Sequence, residues 1–189
     1  MTVNEDKTVL VPLAQSCEEL EAVTIIDLLV RAGIKVVTAS LNDNKIITAS
    51  RGVQLLAQTT LAEVKEEVFD MIVLPGGLPG SDYLNQDLVL RALLQKTVNA
   101  GRPVAAICAA PKVLVSAGLL DGKMATAFPG VLDTHPAKDM TYSTDAIVED
   151  GLVVTAKSAG AAMDFALILV ERLKGRDVRL MVEKNLHRN

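Results

Sequence analysis

The sequence predicts an α/β sandwich: a mostly parallel sheet covered by helices on both faces. Three observations carry this prediction. Short apolar runs alternate with longer stretches of helical periodicity along the whole chain. Half of the residues are apolar yet only 3% are aromatic, so the core must be aliphatic. Parallel strands buried on both faces read in that way. The 189 residues suffice for one sizeable core, and the stretch 1–189 reads as a single domain.

The elements follow in order. Thr8 to Leu13 is an apolar run and the first strand. Glu18 to Ala32 carries Leu20, Val23, Ile26, Leu29 and Val30 at helical spacing, and Gly33 stops it. Ile34 to Leu41 is the second strand. Lys45 to Ser50 and Val53 to Gln58 flank Arg51-Gly52 as a hairpin. Leu61 to Glu67 is a short helical stretch, and Phe69 to Leu74 is a strand ending in Pro75-Gly76-Gly77. Asp87 to Ala100 is a helix closed by Gly101. Val104 to Ile107 is a buried strand that runs into Cys108, with a helix following to Ala117. Lys123 to Ala127 and Gly151 to Ala156 are further strands. Ala161 to Leu173 is an amphipathic helix stopped by Gly175, and a last helical piece runs from Asp177 towards Leu186. Phe128 to Asp145 is the least regular segment.

Charge and cysteine usage narrow the function classes. Nineteen basic and 23 acidic residues leave a net charge of −4, with no Lys/Arg cluster. That is not the footprint of a nucleic-acid binder. Two cysteines far apart do not make a disulfide scaffold and fit a reducing compartment. Met1 to Lys7 is polar and unlike a secretory leader, and no uncharged apolar run reaches membrane-spanning length. The expectation is a soluble cytoplasmic protein that uses no membrane.

Ligands in open α/β sheets sit beyond the carboxyl ends of the strands. Three features fall there: the Ala14-to-Glu21 segment, Gly76-Gly77 and Cys108. Cys108 ends an apolar strand and is followed by Ala109, Ala110 and Pro111. Small residues allow a sharp turn, and proline suits a first helical turn. A thiol at such a corner would meet the positive end of a helix dipole, which favours thiolate. Cys108 is therefore the candidate nucleophile. A nucleophilic thiol wants a partner. His187 lies in a charged tail and His135 in an irregular turn, so neither is a strong one. Among Glu18, Glu19 and Glu21, the first two suit a helix N-terminus as dipole-complementing charges. A carboxylic acid beside a thiolate must itself be protonated, which burial would favour. The residues alone do not choose among the three. Backbone N–H groups at Gly76-Gly77 could hold an oxyanion. Neither a dinucleotide-binding nor a Walker pattern is present. Cys17 is a candidate second redox thiol, provided it approaches Cys108.

Together these pieces resemble the ThiJ/PfpI superfamily, and within it the DJ-1-like branch, closest to its bacterial YajL-like members. The resemblance spans nearly the whole chain. It rests on Glu18-Glu19-Leu20-Glu21 before Asp27, Arg31-Ala32-Gly33-Ile34-Lys35-Val36, Ser50-Arg51, Val73-Leu74-Pro75-Gly76-Gly77, Ala105-Ala106-Ile107-Cys108-Ala109-Ala110-Pro111 and Asp164-Phe165-Ala166-Leu167. It implies a flavodoxin-like sandwich, a homodimer, and no metal or organic cofactor. It assigns Cys108 as the reactive cysteine at a strained elbow and Glu21 as the protonated glutamate bonded to it. Gly77 and Ala109 match positions whose amides line the site, and Arg51 and Arg31 match arginines near the pocket or dimer contact. The implied activities are deglycation, cofactor-free glyoxalase chemistry on methylglyoxal or glyoxal and their protein or nucleotide adducts, and redox sensing with chaperone action. A Cys-His hydrolase is the remaining branch. Two departures stand out. Phe128-Pro129 occupies the place of a histidine before proline, as in the YajL-like pattern. Ser158-Ala159-Gly160 stands where Gly-Pro-Gly is usual.

Overall fold

The computed structural model describes residues 6–188. The polar stretch at 1–5, read above as unlike a leader, lies outside the described residues. The chain runs through β1 (Thr8–Leu13), α1 (Glu19–Arg31), β2 (Lys35–Ser40), a hairpin of β3 (Ile46–Thr48) and β4 (Gln54–Leu56), β5 (Thr59–Thr60), α2 (Leu61–Val64), β6 (Met71–Leu74), α3 (Gly80–Gln86) and α4 (Leu88–Asn99). It continues through β7 (Val104–Ile107), α5 (Pro111–Ser116), β8 (Met124–Ala125), α6 (Val131–Thr134), β9 (Thr141–Tyr142), β10 (Ile147–Asp150), β11 (Val153–Ala156), a short 3-10 turn at Ala159–Ala161, α7 (Ala162–Lys174) and α8 (Arg176–Asn185).

The main sheet has seven strands in the order β10-β11-β7-β6-β1-β2-β5. Every pair is parallel except β10 with β11. Side chains alternate between two apolar layers, as the pleat requires. Val9, Val11, Val73, Ala105 and Ile107 face a layer shared with Ile25 and Leu29 of α1 and Phe165 and Leu169 of α7. Leu10, Ile72, Leu74, Val104 and Ala106 face the other, with Leu90 and Leu94 of α4 and Val113 and Leu114 of α5. Both faces are therefore covered, which is why the central strands read as unbroken apolar runs.

Three departures from the sequence reading are local. Helix α3 stands where no element was anticipated; of its seven residues, only Gly80, Ser81 and Leu84 are buried. Strand β10 is an edge strand with Val148 as its one buried residue. The irregular segment holds α6 and β9, the latter pairing in parallel with β8. The site follows from the strand order. The chain leaves β1 towards β2 on one side and returns to β6 on the other. That reversal opens a crevice at the carboxyl ends of β1 and β6. The carboxyl end of β7 adjoins it. Among the described residues no helix is long and apolar enough to cross a membrane.

Candidate active site

Cys108 follows β7 with φ +62°, a left-handed conformation rare outside glycine. Such a residue costs roughly 1–2 kcal/mol and needs outside support. Its N–H donates to Ala156 O at 2.9 Å, extending the β7–β11 ladder by one bond, and its carbonyl accepts from Phe128 N at 2.8 Å. Both peptide groups are thus pinned across the turn. Helix α5 begins only at Pro111, with Ala110 as its N-cap. The elbow therefore occupies Cys108 to Ala110 instead of passing directly into helix. The residue is partly exposed.

Glu21 lies in the first turns of α1 and is 0% exposed. Its Oε2 accepts from Gly76 N at 2.7 Å. Gly76 O in turn accepts from Glu18 N at 2.9 Å, so both peptide groups of Gly76 are bound to the start of α1. Only glycine permits this approach: a Cβ there would stand 2.7 Å from both Cys108 Cβ and Glu21 Oε2. Gly77 has φ +96°, and a Cβ on it would meet the Ser16–Glu18 backbone at 2.4–2.7 Å. Glu21 Oε1 is buried with no hydrogen-bond partner of good geometry. The Cys108 thiol is the side chain that interacts with this carboxyl. The backbone N–H groups of Ala109 and Gly77 counter burial at the Cys108 thiol and favour its anion. Carboxyl, thiol and two amides therefore converge from α1, the β6 loop and the elbow.

Burial dominates the proton affinities. It pushes Glu21 up to about 7, against the Gly76 amide and the thiol, which both favour the carboxylate. Burial also pushes Cys108 up to about 12, reinforced by the Glu21 charge and contact and opposed by the two amides. This is opposite to the direction expected from a helix terminus. Desolvation and a neighbouring carboxylate outweigh a six-residue helix that starts three residues later. The ionised carboxylate disfavours the thiolate, so the thiol keeps its proton while Glu21 carries the charge.

The other acidic residues of the segment act on the hairpin. Glu19, 8% exposed, accepts from Ser50 Oγ at 3.0 Å, Arg51 N at 2.8 Å and Val53 N at 3.4 Å. Those bonds hold its carboxyl below the usual range despite burial. Glu18 Oε2 reaches Ser50 Oγ at 2.9 Å and the Arg51 guanidinium at 3.9 Å. Both are more than dipole-complementing charges: they fasten the hairpin to α1. Cys17 is fully buried, and burial pushes its thiol up to about 12. Both cysteines are free thiols.

Residues 7–172 match the model of the DJ-1/PfpI family. The chain belongs to the DJ-1/PfpI family. Protein dj-1beta of Drosophila melanogaster is 40% identical over 181 residues, covering 95% of this chain and 96% of that protein. Its crystal structure superposes with a TM-score of 0.91 over 96% of this chain and 98% of that one. Glutathione-independent glyoxalase DJR-1.2 of Caenorhabditis elegans is 33% identical, covering 93% of this chain and 92% of that protein. The structure of oxidized DJ-1 from Toxoplasma gondii is 39% identical with a TM-score of 0.90, covering 95% of this chain and 97% of that one.

The remaining positions singled out by the DJ-1/PfpI pattern lie as follows. The Arg51 side chain is mostly exposed beside Glu18. Arg31 is ten residues beyond Glu21, about 15 Å along the helix. It pairs with Asp27 at 2.6 Å, away from the thiol. Phe128, 48% exposed, holds the elbow through its N–H. His135 turns Nδ1 to Val131 O and Thr134 Oγ1, each at 3.1 Å, and no described hydrogen bond joins it to Cys108. His187 is exposed near the end of the chain. The two amides that favour the thiolate are the part of the site least visible in sequence. Glycine and alanine carry no side-chain signal, and only the backbone path places their N–H groups.

Proposed function

We propose that this DJ-1/PfpI protein is a cofactor-independent thiol enzyme of the deglycase/glyoxalase type. Its substrates would be methylglyoxal or glyoxal and their adducts on proteins or nucleotides. The observation that carries the reading is the buried Glu21 carboxyl, poised near pH 7 with one oxygen unpaired beside the thiol. A general acid–base group is most effective near the working pH. The name of the nematode relative points to the same chemistry.

In this reading ionised Glu21 takes the Cys108 proton as sulfur bonds to the aldehyde carbon. The carbonyl electron pair moves to oxygen, which the Gly77 and Ala109 amides would steady. Glu21 then gives that oxygen the proton, completing a hemithioacetal. The carboxylate next removes the hydrogen of the former aldehyde carbon, and the electron pair passes to the ketone oxygen as an enediolate. The hydroxyl proton on the sulfur-bearing carbon passes to the former ketone oxygen as Glu21 returns its proton to the neighbouring carbon, giving a thioester. Water releases lactate and restores the thiol. The sum is methylglyoxal plus water to lactate, with no external oxidant or reductant. Lactate formation by wild type and Cys108→Ser tests this. The variant should lose at least about a hundredfold, as removal of a nucleophile requires; equal rates would sink the reading.

The setting proposed is the cytoplasm, in defence against carbonyl and oxidative stress, as a homodimer. The outer face of α1 supports self-association, since Leu20, Val23 and Val30 stay about half exposed and Leu56 of the adjoining hairpin is 74% exposed.

A second reading, a redox-sensing protein or chaperone, is favoured by the contrast between the two thiols. Cys108 is partly exposed while Cys17 is fully buried. The Toxoplasma relative is described as oxidized. Graded peroxide followed by peptide mass spectrometry should oxidise Cys108 well before Cys17. Equal oxidation of the two would remove this reading.

A further inference from the structure

Lys112 is an unusual resident of the first turn of α5. It is 4% exposed, and its one charged partner among the described residues is Asp82 in the first turn of α3. Replacing a buried ion pair by apolar side chains is often neutral or stabilising, so a lysine here points to a geometric role. The Lys112–Asp82 contact is also the one side-chain hydrogen bond that joins α3 to α5 among the described residues.

Its place in the fold supplies that reason. The Ala109 amide lies three residues before Lys112, on the elbow that becomes α5. Gly77, the other residue whose amide favours the Cys108 anion, accepts through its carbonyl from Ser81 N at 2.8 Å, and Ser81 precedes Asp82. A closed ring therefore runs from Ala109 along the elbow to Lys112, across to Asp82, through Ser81, and back to Gly77. Both amides of that ring act on the Cys108 thiol and favour its anion. Below, the sheet fixes the roots of both loops through Leu74 opposite Ala106. Above, α3 and α5 have this ion pair.

We propose that Lys112 and Asp82 are positioning residues that hold the Gly77 and Ala109 amides on the Cys108 sulfur. The proposal rests on Cys108 as the reacting thiol and gives neither Lys112 nor Asp82 contact with substrate.

Alkylation of Cys108 by iodoacetamide, followed from pH 7 to 10 by mass spectrometry of its peptide, tests the clamp without requiring turnover. Wild type is compared with Lys112→Met, Lys112→Arg and the double variant Lys112→Met/Asp82→Asn, each checked for fold by circular dichroism. Loss of the clamp should lower the rate about tenfold at every pH, because fewer thiolates form without aligned donors. Lys112→Arg should return to within about threefold of wild type, since it restores the pair. A folded double variant that alkylates at the wild-type rate overturns the proposal. If Lys112→Met fails to fold, the double variant carries the comparison, having no unpaired buried charge. Failure of the double variant to fold also overturns it, since the pair would then be a requirement of folding. A wild type that alkylates normally and makes no lactate sinks the enzyme reading and leaves the clamp intact.

Discussion

Glu21 and Cys108 present two acidic groups to a space that accommodates one negative charge. The carboxyl sits at about 7 and the thiol at about 12, both raised chiefly by burial. Above neutrality the carboxylate is therefore the ionised partner and keeps the proton on sulfur. Two consequences separate in Glu21→Gln, which can still accept from Gly76 N. The thiol should fall from its raised value, because the neighbouring charge and its contact are gone. Lactate formation should fall as well, because glutamine moves no proton. Stability gives an independent check. Glu21 is raised in the folded state, so the folded protein holds a proton that the unfolded chain has released between pH 4.5 and about 7. This group makes stability fall as pH rises through that window, by roughly 3 kcal/mol in all. Urea denaturation across pH 4 to 8 should show the decline in wild type and a flatter profile in Glu21→Gln. Parallel profiles would mean that the carboxyl is not buried as described.

Elements with a clear period were legible in the sequence, and elements without one were not. β1, β2, β6 and β7 are buried on both faces, so their runs of valine, leucine, isoleucine and alanine need no alternation to be recognised. α1 and α7 each end near a glycine and bury one stripe, which fixes both period and stop. α3 carries Gly80, Ser81, Asp82, Asn85 and Gln86 around a single buried leucine, so apolar spacing had nothing to register. β10 shows one buried valine because it lies at the sheet edge. The site divides along the same line. Cys108 announces itself as a polarisable side chain closing an apolar strand. Glu21 is one of three neighbouring glutamates, and it differs from Glu18 and Glu19 only in facing the crevice while they face the hairpin. That distinction is a matter of helix phase against a loop fifty-five residues away, which local pattern does not encode. The resemblance to DJ-1/PfpI sequences supplied the choice. It did not supply the Lys112–Asp82 pair, whose members sit thirty residues apart on two short helices.

The molecule joins two apolar layers through one sheet, and the site lies at the edge common to both. Along β7, Val104 and Ala106 pack into the α4–α5 layer, and Ala105 and Ile107 into the α1–α7 layer. β1 and β6 divide their side chains in the same way. Neither layer can lose its packing while the strands keep their order for the other, because the same backbone serves both. Unfolding should then be a single transition. Phe165 is fully buried in the α1–α7 layer of a chain with few aromatics, and Leu114 is fully buried in the α4–α5 layer. Phe165→Ala should cost about 3–5 kcal/mol and Leu114→Ala about 2–5 kcal/mol, from lost burial and the cavities left behind. Both should shift the urea midpoint without changing the slope, and helix content and Cys108 protection from alkylation should be lost together. A variant in which one layer melts first, exposing Cys108 while most of the helical signal remains, would show that the sheet does not couple the layers. The site would then answer to one face of the sheet alone.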